Sequence, residues 1–101
     1  GMATDAIANR KYPDAMAHLQ TLLAEKSYNT DITARAHFWY GECLYRQKKY
    51  DEAKEQFDLY LKKTTSMEQD EYRFAQYNIA YIFWNKKEYQ NAVIGLENMK
   101  E

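Results

Sequence analysis

Residues 39–57, WYGECLYRQKKYDEAKEQF, predict a helix, a tight turn and a second helix. The turn lies at residues 47–50, and apolar or small residues on both sides of it recur at steps of three and four, which is the helical period. The same pattern occurs twice more. The repeated positions are Gly41, Tyr50, Ala53 and Phe57, with Ala3, Tyr12, Ala15 and Leu19 upstream and Ala80, Tyr89, Ala92 and Leu96 downstream.

The repeat period is 38 residues from Tyr12 to Tyr50 and 39 residues from Tyr50 to Tyr89. A repeat of this length indicates helical hairpins that each bury an apolar face on the next. The chain is therefore expected to be all-α and to form a single domain within a longer array. We expect a partial repeat at 1–26 and two full repeats at 30–63 and 66–99.

At these positions the chain resembles the tetratricopeptide repeat (TPR) family, whose signature is a small residue, a turn aromatic, an alanine and a large apolar residue. The resemblance implies a right-handed superhelix of about two and a half repeats. Two features depart from it: the family period is about 34 residues, and Thr65 stands near the place of a frequent closing proline. The long period resembles a bacterial subgroup, the outer-membrane assembly lipoproteins and Tol–Pal-associated periplasmic proteins.

Turn signals and periodicity set the expected helices. Pro13 favours a helix start, and Ser66 to Gln69 has the form of a capping box. Gly41 falls in mid-helix, where it is unfavourable, and the resemblance implies that a partner helix approaches it closely. The expected helices cover about 3–10, 13–26, 32–47, 51–63, 67–85 and 89–99, and the inward stripe of the second contains Ala15, Leu19, Leu22 and Leu23.

The charge balance of the chain limits which classes of partner it can be expected to bind. Fourteen basic and fifteen acidic residues give a net charge of −1 with no block of one sign. Neither nucleic acid nor an anionic membrane surface is therefore indicated. No apolar run is long enough to span a bilayer, so no direct membrane insertion is expected.

The residue types that commonly act in catalysis or bind metals are not spaced so that they would form a site. His37 and Cys43 are six residues apart on one expected helix, roughly 240° around its axis, and His18 lies on another. Two histidines, one cysteine and no ligand pair one turn apart do not favour a metal site. A glycine-rich phosphate loop is also missing. We therefore expect that the chain is not an enzyme and binds no cofactor. Cys43 is expected to be a small buried hydrophobic residue.

A second stripe runs along the first helix of each full hairpin, at spacing i, i+3, i+7 and i+10. The resemblance implies that this stripe lines a concave groove and contacts a peptide or partner helix. The alternative is that the residues of this stripe pack in the hydrophobic core. However, Ile79, Ala80 and Phe83 already form a separate packing stripe on the helix that carries Phe74 to Trp84. The candidate partner-binding residues are Arg35, Phe38, Glu42, Tyr45, Phe74, Tyr77, Tyr81 and Trp84.

The groove residues also narrow the kind of ligand. Heat-shock co-chaperones of this family hold a terminal carboxylate with lysine and asparagine, whereas Phe38, Glu42, Tyr77 and Tyr81 stand at the corresponding places. An apolar or proline-containing segment, or an amphipathic helix, suits this face better.

The sequence therefore predicts a non-enzymatic protein–protein interaction module. One alternative is self-association into a homo-oligomer or scaffold, because Val93, Ile94 and Met99 on the last expected helix lack a covering helix. Another alternative is a regulatory segment of a larger enzyme or signalling protein.

Overall fold

The computed structural model describes residues 11–24, 30–65, 67 and 70–99. Over these residues it contains five α-helices and no strand, which confirms the all-α fold of helical hairpins. The expected helix at 3–10 lies outside the described residues. The helices are α1 (Tyr12–Ala24), α2 (Thr30–Arg46), α3 (Tyr50–Lys63), α4 (Asp70–Asn85) and α5 (Tyr89–Asn98).

Each helix packs on the next one in the chain, and α2 also touches α4. The helix pairs α2 with α3 and α4 with α5 form the two hairpins predicted from the repeat. In the described segments, none of the helices combines the length and the apolar character needed to cross a bilayer.

The two helices of the α2–α3 hairpin approach each other most closely at a glycine in the middle of α2. A Cβ atom added to Gly41 would lie 2.9 Å from both Cδ1 and Cε1 of Phe57. Phe57 and Ala53 are fully buried. The expected close approach at Gly41 is therefore confirmed, and it fixes the crossing of α2 over α3.

Both hairpin turns share one backbone geometry. In the first turn, the Lys48 N–H donates to the Tyr45 carbonyl and the Lys49 N–H to the Leu44 carbonyl, each at 2.9 Å. The second turn has the same two bonds, at 3.0 and 2.8 Å, from Lys87 to Trp84 and from Glu88 to Phe83. This pair of bonds is the Schellman motif. It places Lys48 and Lys87 at φ values of 63° and 64°, a region that favours glycine.

We expect Lys48→Gly to raise the free energy of unfolding by about 1 kcal/mol, because lysine carries a steric cost at positive φ that glycine avoids. Urea unfolding of the parent and the variant measures the change. Lys48→Ala is the matched control, because alanine also removes the long side chain but keeps the Cβ atom that is strained at positive φ, and it should give no gain. Equal gains for both variants would contradict a strained Lys48.

Several predicted details differ from the structure. Helix α4 begins at Asp70, and Met67 lies in the preceding turn with 71% of its surface exposed. Most of the expected capping box at 66–69 falls outside the described residues. In α1, Leu23 packs toward α2 with Ala15 and Leu19, but Leu22 is exposed. The face of α1 that packs toward α2 also carries Tyr12 and Met16, and Leu23 lies on that face. Leu22 is about 100° away from Leu23 around the helix and lies at the border of that face.

Candidate functional site

Phe38, one of the eight candidate binding residues, is a core residue. Only 4% of it is exposed, and its ring lies 5.3 Å from that of Tyr60 and 5.9 Å from that of Phe57. Phe38 therefore packs mainly in the core, as the core alternative expected, and a partner contact by its remaining exposed surface stays a prediction. The physical reason is that α4 packs over this part of the α2–α3 hairpin.

A cleft of about 460 Å³ lies between α2 and α4, and we call it the inner cleft. Phe74 is its most prominent apolar residue, with 58% of its surface exposed. Glu42, a second candidate residue, is half-buried there. The lining residues are Phe38, Trp39, Glu42, Arg46, Glu71, Phe74 and Asn78.

Polar side chains bridge the two helices along the inner cleft. Arg35 donates two hydrogen bonds to the Glu71 carboxylate, from Nη2 at 2.7 Å and from Nε at 3.2 Å. The hydrogen bond and charge of Glu71 raise the pKa of the Arg35 guanidinium. Asn78 donates to Glu42 at 3.3 Å, and Arg46 faces the same carboxylate at 3.7 Å. The contacts of Arg35 with Glu71 and of Asn78 with Glu42 link α2 to α4, whereas Arg46 and Glu42 both lie on α2.

A second cleft, of about 690 Å³, lies between α4 and α5, and we call it the outer cleft. The candidate residues Tyr77 and Tyr81 form one wall, with stacked rings whose centroids are 6.3 Å apart. Both tyrosines are exposed, at 40% and 49%. The lining residues are Arg73, Tyr77, Tyr81, Val93, Leu96, Glu97 and Met99.

The last two candidate residues lie at the hairpin turns. Tyr45 meets Tyr50 edge to face at 5.7 Å, and Trp84 meets Tyr89 in the same way at 4.7 Å. Burial raises the pKa of the Tyr45 phenol, whereas Trp84 is exposed. The two residues therefore help to close equivalent turns, and Trp84 also presents apolar surface.

Cys43 and His37 are held in structural roles. Cys43 is buried, and this burial raises the pKa of its thiol to about 11, which keeps it protonated at neutral pH. His37 Nδ1 lies 2.7 Å from Oε1 of Gln56, within hydrogen-bond distance. Across the described segments, no three His, Cys, Asp or Glu side chains are grouped so that they could hold a metal ion.

Sequence reasoning missed several residues that line the clefts. Trp39 and Asn78 line the inner cleft from α2 and α4, and they are 39 residues apart, which is one repeat period. Their equivalence was the signal that could have identified them. For Val93, Leu96 and Met99 of the outer cleft, the sequence predicts packing or uncovered apolar surface and not the wall of a cleft.

Comparison with known proteins identifies the family. The family model of the tetratricopeptide repeat matches residues 1–68 of the 101. No curated protein and no solved structure matches the chain. The hairpin beyond the matched range has the same turn geometry as the one inside it. Proteins with these repeats generally mediate protein–protein interactions, and this chain belongs to the tetratricopeptide repeat family.

Proposed function

We propose that the chain is a non-enzymatic protein–protein interaction module that binds an apolar peptide segment or an amphipathic helix in the inner cleft. The observation that carries the proposal is Phe74, a large aromatic side chain that is mostly exposed although it lies in a concave surface beside Trp39. Rigid aromatic anchors of this kind dominate binding energy at protein interfaces.

The polar contacts around the cleft support this role. Arg35 and Glu71 are already paired across α2 and α4, and so are Glu42 and Asn78. A ligand would therefore meet a surface whose side chains need little further ordering, which reduces the entropic cost of binding. Because these charges are paired, specificity would come from the apolar anchor more than from a single free charge.

The ligand class follows from this chemistry. The chain has nearly balanced charge, and the charged residues that line the inner cleft are Glu42, Arg46 and Glu71. Such a surface gives no broad basic patch for a nucleic acid. A peptide or helix with one large apolar side chain could instead seat that side chain against Phe74 and Trp39.

Phe74→Ala is expected to weaken partner binding by about 2 kcal/mol, roughly thirtyfold, because it removes the exposed aromatic of the cleft. The thermal midpoint should stay within a few degrees of the parent, since Phe74 is largely outside the core. A partner recovered with the parent, then purified, is titrated against both proteins by calorimetry.

Met67→Ala serves as the control, because Met67 is exposed and does not line the cleft. It should bind like the parent. Unchanged affinity for Phe74→Ala, or a collapse of its melting temperature, would count against the inner cleft as the binding surface.

Self-association is a second candidate function, and the exposed α5 residues favour it. Val93 and Ile94 are 50% and 57% exposed on neighbouring positions of one helix. With Tyr89 and Gln90 they line a shallow apolar depression of about 430 Å³. Two copies could bury this surface against each other.

Under the self-association hypothesis, the sedimentation coefficient of the parent rises with concentration and Ile94→Glu abolishes the rise, because a buried carboxylate opposes an apolar contact. Leu22→Glu places the same charge on the exposed part of α1 and should not change the association. A parent that remains monomeric at every concentration would remove this candidate.

Two further hypotheses concern the protein as a whole. The long repeat period supports assignment to the bacterial subgroup of outer-membrane assembly and Tol–Pal-associated proteins, and this assignment stays a prediction. A role as a regulatory segment of a larger enzyme or signalling protein likewise stays a hypothesis. Flanking sequence with a lipid-attachment signal, a catalytic domain or further repeats would decide between them.

A further inference from the structure

The two polar links that cross the inner cleft differ in how tightly they hold their carboxylates. Arg35 holds Glu71 through two hydrogen bonds, of 2.7 and 3.2 Å. Seven residues further along both helices, Asn78 donates to Glu42 through one bond of 3.3 Å. A bond of this length is longer than usual. Of the two carboxylates, that of Glu42 is therefore held less tightly.

The second oxygen of Glu42 is also weakly engaged. It faces Nε of Arg46 at 3.7 Å, which is too long for a hydrogen bond. The Arg46 side chain is 43% exposed, so water can reach its guanidinium, whereas only 16% of the Glu42 side chain is exposed. A carboxylate that is largely removed from water and only weakly hydrogen-bonded is stabilised by a further donor. Glu42 is therefore the polar group of the inner cleft that a ligand would stabilise most.

Two aromatic side chains lie close to this carboxylate. Trp39 precedes Glu42 by three residues on α2, and the two side chains line the same cleft. Phe74 precedes Asn78, the donor to Glu42, by four residues on α4. Residues at these spacings are neighbours on a helix surface. Aromatic faces attract cations and also pack against the methylene stem of lysine or arginine. The cleft thus combines an apolar wall with a weakly held negative charge.

We propose that the inner cleft selects a partner segment in which a lysine or arginine lies next to the apolar anchor residue, and that Glu42 binds this cation. The inference rests on the function proposed above, because it concerns the ligand of the same cleft. The cation donates hydrogen bonds to the Glu42 carboxylate, and Arg46 turns toward solvent. Because Glu71 is already paired with Arg35, Glu42 determines the preference for a positive charge.

Two acetylated and amidated dipeptides serve as probes, tryptophan–lysine and tryptophan–norleucine. Norleucine has the four-carbon stem of lysine without its ammonium group. Binding to the full chain is followed by the NMR shift of the Trp39 indole N–H, and the Trp84 indole N–H is the reference outside the cleft. We expect the lysine probe to bind at least about fivefold more tightly than the norleucine probe. Equal affinities would overturn the inference.

A matched pair of variants tests the role of Glu42. Glu42→Gln removes the charge but keeps the size and an oxygen acceptor for Asn78, so the two probes should bind this variant equally, within about twofold. Glu55→Gln makes the same change at an exposed position of α3 that does not line the cleft, and it should retain the full preference. Circular dichroism verifies that both variants are folded. A preference that survives in Glu42→Gln, or that disappears in both variants, would contradict the inference.

A third probe, tryptophan–glutamate, tests the opposite polarity. If Arg46 is the group that recognises charge, this probe binds the parent most tightly and Arg46→Gln removes its advantage, which would overturn the inference.

Phe74→Ala distinguishes a failure of this inference from a failure of the proposed function. If the lysine and norleucine probes bind the parent equally and Phe74→Ala weakens both, the cleft binds apolar segments without a preference for charge. In that case only the present inference fails. If no probe shifts the Trp39 signal, the inference is overturned as well, whereas the function of the cleft is decided by the titration of the recovered partner.

Discussion

Phe57→Ala is expected to lower the free energy of unfolding by about 3–5 kcal/mol, because it leaves a cavity where the ring is now fully enclosed. Phe57 contacts Phe38 and sits directly beneath the Gly41 backbone. A loss of this size is a large part of the free energy of unfolding of a small domain. Both α2 and α3 should be destabilised, because the two helices cross at this ring.

Urea unfolding followed by circular dichroism measures this loss. Phe74→Ala is the control, since it makes the same substitution at an exposed ring and should cost less than about 1 kcal/mol. Where Phe57→Ala fails to fold at all, Phe57→Leu leaves a smaller cavity and gives a measurable value of about 1–2 kcal/mol. Similar losses for Phe57→Ala and Phe74→Ala would show that the α2–α3 core is assigned wrongly.

Gly41→Ala should destabilise the protein by about 2–3 kcal/mol, although alanine is the better helix former. The new Cβ atom would lie 2.9 Å from two ring carbons of Phe57 and 3.2 Å from Cγ. The ring is fully buried and packs against Phe38, so it cannot move aside without disturbing the core.

The second helical glycine supplies a control of opposite sign. A Cβ atom at Gly95 would be 3.6 Å from the Ala80 Cβ atom, which is ordinary contact. Gly95→Ala should therefore raise the stability by about 0.5–1 kcal/mol through helix propensity. In a Phe57→Leu background the cost of Gly41→Ala should shrink, because the two residues share one contact. Equal and additive effects at both glycines would contradict the close crossing.

The residues that build the hairpins could be predicted because the repeat places them at fixed positions. Gly41 meets Phe57 at the crossing, and Ala53 is buried in the same cluster as Phe57. The positions of the turns could also be predicted from the repeat, but their backbone geometry could not. A lysine at positive φ carries no sequence signal like that of glycine, so the strain at Lys48 and Lys87 became visible only in the structure.

The candidate site was predictable in part, because a stripe on one helix does not reveal its neighbours. Phe38 and Tyr77 occupy the same position in the repeat, yet Phe38 is core and Tyr77 is exposed. Their difference depends on whether another helix packs over the hairpin, which is a tertiary property. Similarly, the ion pair between Arg35 and Glu71 of α4 could not be predicted from one helix, and a ligand contact by Arg35 stays a prediction.

Hydroxyl-radical footprinting, read by mass spectrometry, tests most directly the claim that Phe74 belongs to a binding surface. Phe38 and Phe74 are the same residue type and both line the inner cleft, but 4% of one and 58% of the other is exposed. In the free protein Phe74 should be oxidised many times faster than Phe38, and a bound partner should protect Phe74 without changing Phe38. Equal oxidation of the two rings in the free protein, or no protection of Phe74 in the complex, would contradict the account.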